Sequence, residues 1–291
     1  MEHVLLGAIP TGDNECRFDY KALETAIKNV IKNHLGSEDI IMSAKTNKPS
    51  CRTFVVAKMA RMVTATPTLF RSYHCLGYRP IDCPIWQAAR ATSAAPTFFM
   101  SMHIEVPSAG ADFVDGGLGF NNPSELALEE SKRIWQDSKT CCLVSIGTGR
   151  PGAVRLDVHN LEKDDRSQRG ALQYIQNFVP GLSSMIDVWR KVNNVPTGGV
   201  ALVKMAGVLS KLATDSEKAH QKLLGAAETT PFSYYRFNVE RDVGDIGLED
   251  HTKSEDIHAL TAEYLADGDV HKKEMECVRK LLPDRTFSRE Y

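Results

Sequence analysis

The sequence predicts an α/β fold, and three observations carry that prediction. Short apolar runs of strand length alternate with longer stretches of helical period. An amphipathic, capped helix opens the legible part of the chain. A further apolar run ends in Asp115-Gly116-Gly117, where a strand stops and the backbone turns, leaving a carboxylate free to face a cleft. At 291 residues the chain is long enough for one large domain or two small ones, with ordinary globular composition.

Taken in order, Phe18 to Gly36 reads as a helix with Leu23, Ala26, Ile27, Val30, Ile31 and Leu35 on one stripe, Asp19 as N-cap and Gly36 as stop. Cys51 to Ala57 and Leu69 to His74 read as strands, and Ile85 to Ala94 as a short helix that begins after Pro84. The small residues Ala91, Ser93, Ala94 and Ala95 fit either a close backbone approach or an ordinary helix packing face. After Asp115, Asn122 is placed to cap and Pro123 to begin a helix that ends near Trp135. Cys141 to Ile146 reads as a buried parallel strand, and Gly147-Thr148-Gly149 as a strand-end turn, since it has neither the lysine of a P-loop nor Gly-x-Gly-x-x-Gly spacing. Arg150 to Arg169 is charged and aperiodic, a surface loop. Leu172 to Val192 and Ala201 to Leu224 read as helices that cover the sheet rather than forming a lid or bilayer contact, because no basic stripe flanks their apolar faces. Phe232 to Val239 alternates as a strand, and Ile257 to Leu265 and Val270 to Leu282 end the chain as helices. There are no internal repeats.

Composition excludes several classes. The net charge is −2 with basic and acidic residues interspersed, so no phosphate-tracking surface and no nucleic-acid partner are expected. No signal peptide follows Met1, and the longest apolar stretch, Val200 to Leu209, is broken by Lys204, so no transmembrane segment is expected. Seven cysteines, an odd number without Cys-x-x-Cys pairs, predict reduced thiols in a cytoplasmic protein, with Cys141 and Cys142 acting as small apolar residues of a strand. His220, His251 and His258 are scattered, and no metal or cofactor is expected.

The candidate catalytic residue is Asp115. Asp-Gly-Gly in isolation is more often a turn than a site, but here it follows Ala89-Arg90-Ala91-Thr92-Ser93-Ala94-Ala95-Pro96-Thr97-Phe98-Phe99 and precedes Asn121-Asn122-Pro123 and the run from Cys142 to Gly149. In that order the motifs resemble the patatin-like phospholipases, in fungal style, with the core of the resemblance at 17–149, densest from Phe54 to Gly149, and a helical and strand region at 170–291. The resemblance implies a three-layer α/β sheet with helices on both faces, truncated on its N-terminal side, so that residues 1–291 form a single partial domain. It implies that Asp115 is the base of a Ser-Asp dyad, with Gly116 and Gly117 supporting its turn, that no cofactor is needed, and that the small-residue helix end lies near the catalytic elbow. The substrate implied is a lipid or acyl ester at a membrane surface, met peripherally from the cytoplasm.

Two features of that family are missing from these residues. No Gly-x-Ser-x-Gly occurs, and neither does a Gly-Gly-Gly-x-Arg-Gly oxyanion loop. The nearest approach, Gly181-Leu182-Ser183-Ser184-Met185, follows the aspartate and lacks the second glycine, so Ser183 reads as a loop or N-cap serine. A lone carboxylate with a pKa near ~4 is a poor base, and each oxyanion donor is worth roughly 10²–10³ in rate. The expectation is a chain inactive on esters by itself, belonging to a longer hydrolase or acting as a non-catalytic lipid- or protein-binding module. An interior strand lost from an open sheet would leave an edge to be covered by a protein partner or by Val4 to Pro10.

Overall fold

The computed structural model describes residues 18–43, 51–61, 66–75, 77–78, 81–95, 98–105, 110–138, 140–149, 216–240, 243–247 and 250–282. They form two compact units, one of residues 18–121 and one of 122–149 with 216–282. Each is a mixture of helices and strands, so the α/β class is present in both.

The first unit opens with α1, Tyr20–Leu35, capped as its sequence predicts. Asp19 accepts hydrogen bonds from the Lys21 and Ala22 N–H groups, and Gly36 closes the helix at φ 85°, a left-handed conformation that glycine adopts without steric cost. The expected apolar stripe is only partly covered. Ile31 is buried, whereas Val30 and Leu35 are 56% and 53% exposed, because α1 packs on a second helix rather than directly on the sheet.

Four antiparallel strands follow: β1 (Phe54–Met59), β2 (Thr68–Arg71), β3 (Met102–Ile104) and β4 (Ala111–Asp115), in the order β2-β1-β4-β3. The first two lie one to three residues from their expected bounds. β3 was not expected, since three residues are too short for period-2 alternation to register. In the pairing of β1 with β4, Ala57 stands opposite Asp115.

Helix α2, Ile85–Thr92, starts after Pro84 as expected and packs across β1, β3 and β4. Ala88 and Ala91 on its inner face meet Ala57, Phe70, Met102, Ile104 and Phe113, which form the core of this unit. Phe70 and Phe113 meet edge to face with ring centroids 5.1 Å apart, a favoured quadrupole geometry. Arg90 is fully buried on the side of α2 that meets α1. Its Nη2 donates to the Met100 carbonyl at 2.6 Å and its Nε lies 3.7 Å from Glu24 of α1. The short turn α3, Gly117–Phe120, closes the unit after β4.

The second unit is built on two parallel strands, β5 (Cys141–Ile146) and β6 (Phe232–Phe237), paired from Cys141–Phe232 to Ile146–Phe237. Its helices are α4 (Ser124–Ile134), α5 (Glu217–Thr229), α6 (Ser254–Ala266) and α7 (Gly268–Leu281). They lie on both faces, giving three layers. On one face Cys141 and Ser145 contact Ser131 and Ser124 of α4, and Tyr234 contacts His220 of α5. On the other, Cys142 contacts Cys277 of α7, and Lys273 lies 5.4 Å from the centre of the Phe237 ring.

β5 is parallel with the bounds expected, but its burial differs. Most of it is half-buried and Ile146 is 80% exposed, because in a two-stranded sheet both strands are edges. α4 begins one residue after the predicted Pro123. Asn122 still serves this helix start, its Oδ1 accepting from the Ser124 N–H at 3.2 Å and the Ser124 hydroxyl at 2.6 Å. The expected loop at 150–169, the helix at 172–192, Ser183, and most of the helix at 201–224 lie outside the described residues. The described cysteines are free thiols.

Candidate active site

The site is built where β4 ends. Asp115 is the last residue of that strand, as Asp-Gly-Gly predicts. Its N–H donates to the Ala94 carbonyl at 3.0 Å, so the small residues after α2 bring backbone against backbone. Ala91 and Ala94 are completely buried, and larger side chains at these positions would hold the two segments apart.

The two glycines act differently from a simple turn. Gly116 has an ordinary φ of −67°, so it is not there for a left-handed backbone. A Cβ at Gly116 would stand 2.5 Å from the Val56 carbonyl oxygen, which is closer than a side-chain carbon can approach. The same carbonyl accepts a 2.6 Å hydrogen bond from the Thr92 hydroxyl. β1, the end of α2 and the Asp-Gly-Gly turn are therefore locked around one peptide group. Gly117 donates its N–H to Asp115 Oδ1 at 2.7 Å, and a Cβ on it would lie 3.1 Å from that same oxygen. The left-handed residue of the turn is Gly119, at φ 96°.

This arrangement holds the Asp115 carboxylate half-withdrawn from water. Burial raises its pKa above the ordinary aspartate value, and the Gly117 N–H opposes part of that rise by stabilising the anion. A raised carboxylate is a better proton acceptor than an exposed one. Among the described residues the Gly117 N–H is the hydrogen-bond donor to this carboxylate, and no serine or threonine hydroxyl reaches it.

Three further side chains shape this region without having been singled out in the sequence. Thr92 and Arg90 belong to the motif around α2, and both act on backbone carbonyls, Val56 and Met100. A charged residue among alanines in an otherwise apolar helix face was the available signal for Arg90. Lys58 is buried on β1, its ammonium 5.2 Å from the centre of the Phe120 ring, and burial lowers its pKa. Nothing in its local sequence distinguishes it from a solvated lysine. Among the described residues there is no cluster of His, Cys, Asp and Glu suited to a metal ion.

Comparison with known proteins adds to this geometry. Residues 11–128 match the family described as patatin-like phospholipase. The chain is 28% identical to calcium-independent phospholipase A2-gamma of Homo sapiens over 292 residues, which covers 97% of this chain and 30% of that protein. The same-named protein of Rattus norvegicus is 30% identical over 250 residues, covering 81% of this chain and 25% of its own length. Phospholipase A I of Arabidopsis thaliana is 27% identical over 164 residues, 42% of this chain and 12% of that protein. The chain thus spans less than a third of the length of these relatives.

Proposed function

The chain belongs to the patatin-like phospholipase family through its residues 11–128, and on that premise we propose that it carries the base half of a lipid acyl hydrolase. The observation that supports this reading most is the Asp115 carboxylate, held by the Gly117 N–H at 2.7 Å and raised in pKa by burial at the end of β4. In the proposed reaction Asp115 takes the proton of a serine hydroxyl as that hydroxyl attacks an ester carbonyl and gives it to the departing alcohol oxygen as the ester C–O bond breaks; it then takes a proton from the water that attacks the acyl-serine and returns it to the serine oxygen as the acid leaves. No histidine is required in this scheme, in which the aspartate would contact the serine directly. The substrate class is a phospholipid or other acyl ester presented at a membrane surface. Among the described residues no helix is long and apolar enough to cross a membrane, and the proposed contact is peripheral, from the cytoplasm.

These 291 residues contain no Gly-x-Ser-x-Gly. A serine outside such an elbow lacks both the exposed hydroxyl and the adjacent oxyanion amides. We therefore propose that this chain by itself does not hydrolyse esters. The same observation favours a second reading, a non-catalytic module that binds lipid or a protein partner, the partner pairing with an open sheet edge such as β2 or β3.

The test is the mass of the endogenous protein, detected with an antibody against the region around Asp115. A species well above 32.2 kDa that hydrolyses phospholipid, and stops doing so as Asp115→Asn, supports the hydrolase. A species of 32.2 kDa that hydrolyses nothing but floats saturably with liposomes supports the module and sinks the first reading.

A further inference from the structure

The second unit holds a buried positive charge with only hydroxyl partners. Arg236, on β6, is 7% exposed. Its Nη1 donates to the Ser145 hydroxyl at 2.8 Å and its Nη2 to the Ser216 hydroxyl at 3.3 Å, while its buried Nε has no acceptor. Among the described residues it has no ion-pair partner. Hydroxyl groups satisfy donors but do not neutralise a charge, and an uncompensated guanidinium in a low-dielectric interior is costly.

The surrounding dipoles add to the positive potential. Ser216 immediately precedes α5 and makes no side-chain cap of that 13-residue helix, whose first turn carries Glu217. Ser124, the first residue of α4, bonds through its hydroxyl to Ser145 at 2.9 Å. Asn122 ties the two helix starts together, donating from Nδ2 to the Ser216 carbonyl at 3.1 Å. Two helix N-termini and a guanidinium thus meet at one point. Glu217, in the first turn of α5, lies near enough for its charge to be felt by Tyr234.

The position in the sheet fits a ligand. Ser145 and Arg236 pair across the C-terminal half of parallel β5 and β6, the end of a parallel sheet where ligands bind in open α/β folds. The Gly147-Thr148-Gly149 turn follows at once. A Cβ at Gly147 would lie 2.1 Å from Asn238 Oδ1 and 2.8 Å from Arg236 Nη2, so the glycine leaves room for the Asn238 carboxamide, which accepts from the Gly149 N–H at 2.8 Å, beside the guanidinium. Taken alone the Gly-Thr-Gly turn has no phosphate-binding spacing; the neighbouring strand supplies the cation that the motif lacks.

We propose that Arg236, Ser145, Ser216 and the start of α5 form a binding site for a phosphate group. A tetrahedral oxyanion has enough acceptor oxygens to engage the guanidinium fork, two hydroxyls and helix N-terminal amides at once. The site is separate from the proposed hydrolase reading and stands or falls without it.

Calorimetric titration and thermal unfolding of the full chain with inorganic phosphate, against chloride at equal ionic strength, test the site. The wild type should bind saturably and unfold at higher temperature as phosphate rises. Ser216→Asp puts a carboxylate beside Nη2 and caps α5, so this variant should be stable without phosphate and bind it about tenfold more weakly or worse. Arg236→Gln should lose saturable binding; if that variant does not fold, Ser216→Asp decides. Absence of saturable binding by the wild type, or an unchanged affinity in Ser216→Asp, overturns the site. A second arm replaces the free ion with phosphatidylcholine vesicles with and without phosphatidic acid. The depth of the guanidinium predicts no response to either; a response that depends on phosphatidic acid and is lost in Ser216→Asp upholds the site and assigns it to a lipid headgroup.

Discussion

Asp115 is held by backbone groups on both sides, its N–H by the Ala94 carbonyl and its carboxylate by the Gly117 N–H. Burial raises its folded pKa, so the folded state retains the proton more readily than the unfolded chain. Stability therefore falls as pH rises through the window between the unfolded pKa, near ~4, and the raised folded value, and stays reduced above it. Asn at this position keeps an acceptor for Gly117 but carries no charge. Asp115→Asn should unfold at higher temperature than wild type at pH 7, and the difference should close as both are acidified below about pH 4. Thermal scans across that range check the sign, and a variant less stable at pH 7 would mean that the Gly117 hydrogen bond outweighs burial.

The neighbouring glycine is constrained by space. Gly116→Ala drives a methyl group toward the Val56 carbonyl and should cost about 1–3 kcal/mol, as overpacking does. Chemical denaturation measures that loss. An effect within about 0.5 kcal/mol would show that β1 moves freely away from the turn. The sequence marked Asp-Gly-Gly as a turn but not the reason for its first glycine, because that reason lies on a strand nearly sixty residues earlier. Lys58 escaped notice on the same ground, since burial by Phe120 depends on how the chain returns.

Among the elements, those with local signals were legible. α1 carries its start and stop in Asp19 and Gly36, and both act as the sequence indicates. Asp19→Ala should cost about 1 kcal/mol, read from denaturant midpoints. A smaller helix content without a change in global stability would instead mean that α1 frays alone. α2 and β5 were legible through Pro84 and the bounding glycines. β3 was not, and neither was the antiparallel pairing of β1 with β4, because strand partners are chosen by contacts far apart in sequence. The core those partners make is concentrated in Phe70 and Phe113, packed edge to face between sheet and α2. Phe113→Ala should destabilise the unit that contains it by about 3–5 kcal/mol, enough for a separate early transition in a thermal scan. A single unshifted transition would contradict the placement of Phe113 at the centre of that core.

For the molecule as a whole, the order of motifs along the chain proved more informative than any one of them. Ala89 to Phe99, Asp115 to Gly117, Asn121 to Pro123 and Cys142 to Gly149 sit at α2, at the end of β4, at the start of α4 and on β5. The division of the described residues into two units was not legible, since no linker composition marks residue 121 or 149. The buried arginine on β6 was equally hidden, because Phe232 to Val239 alternates like any half-exposed strand until Ser145 and Ser216 are seen beside it. Function at this scale depends on a nucleophile. Asp115 is the proposed base, and no Gly-x-Ser-x-Gly elbow occurs among the 291 residues.

The most direct test is turnover of a p-nitrophenyl acyl ester by the purified 291-residue chain, with Asp115→Asn alongside. Both are expected to release product at the rate of buffer alone. Turnover by the wild type that disappears in Asp115→Asn would contradict the proposed inactivity of this chain, showing that Asp115 already works with a nucleophile contained in it.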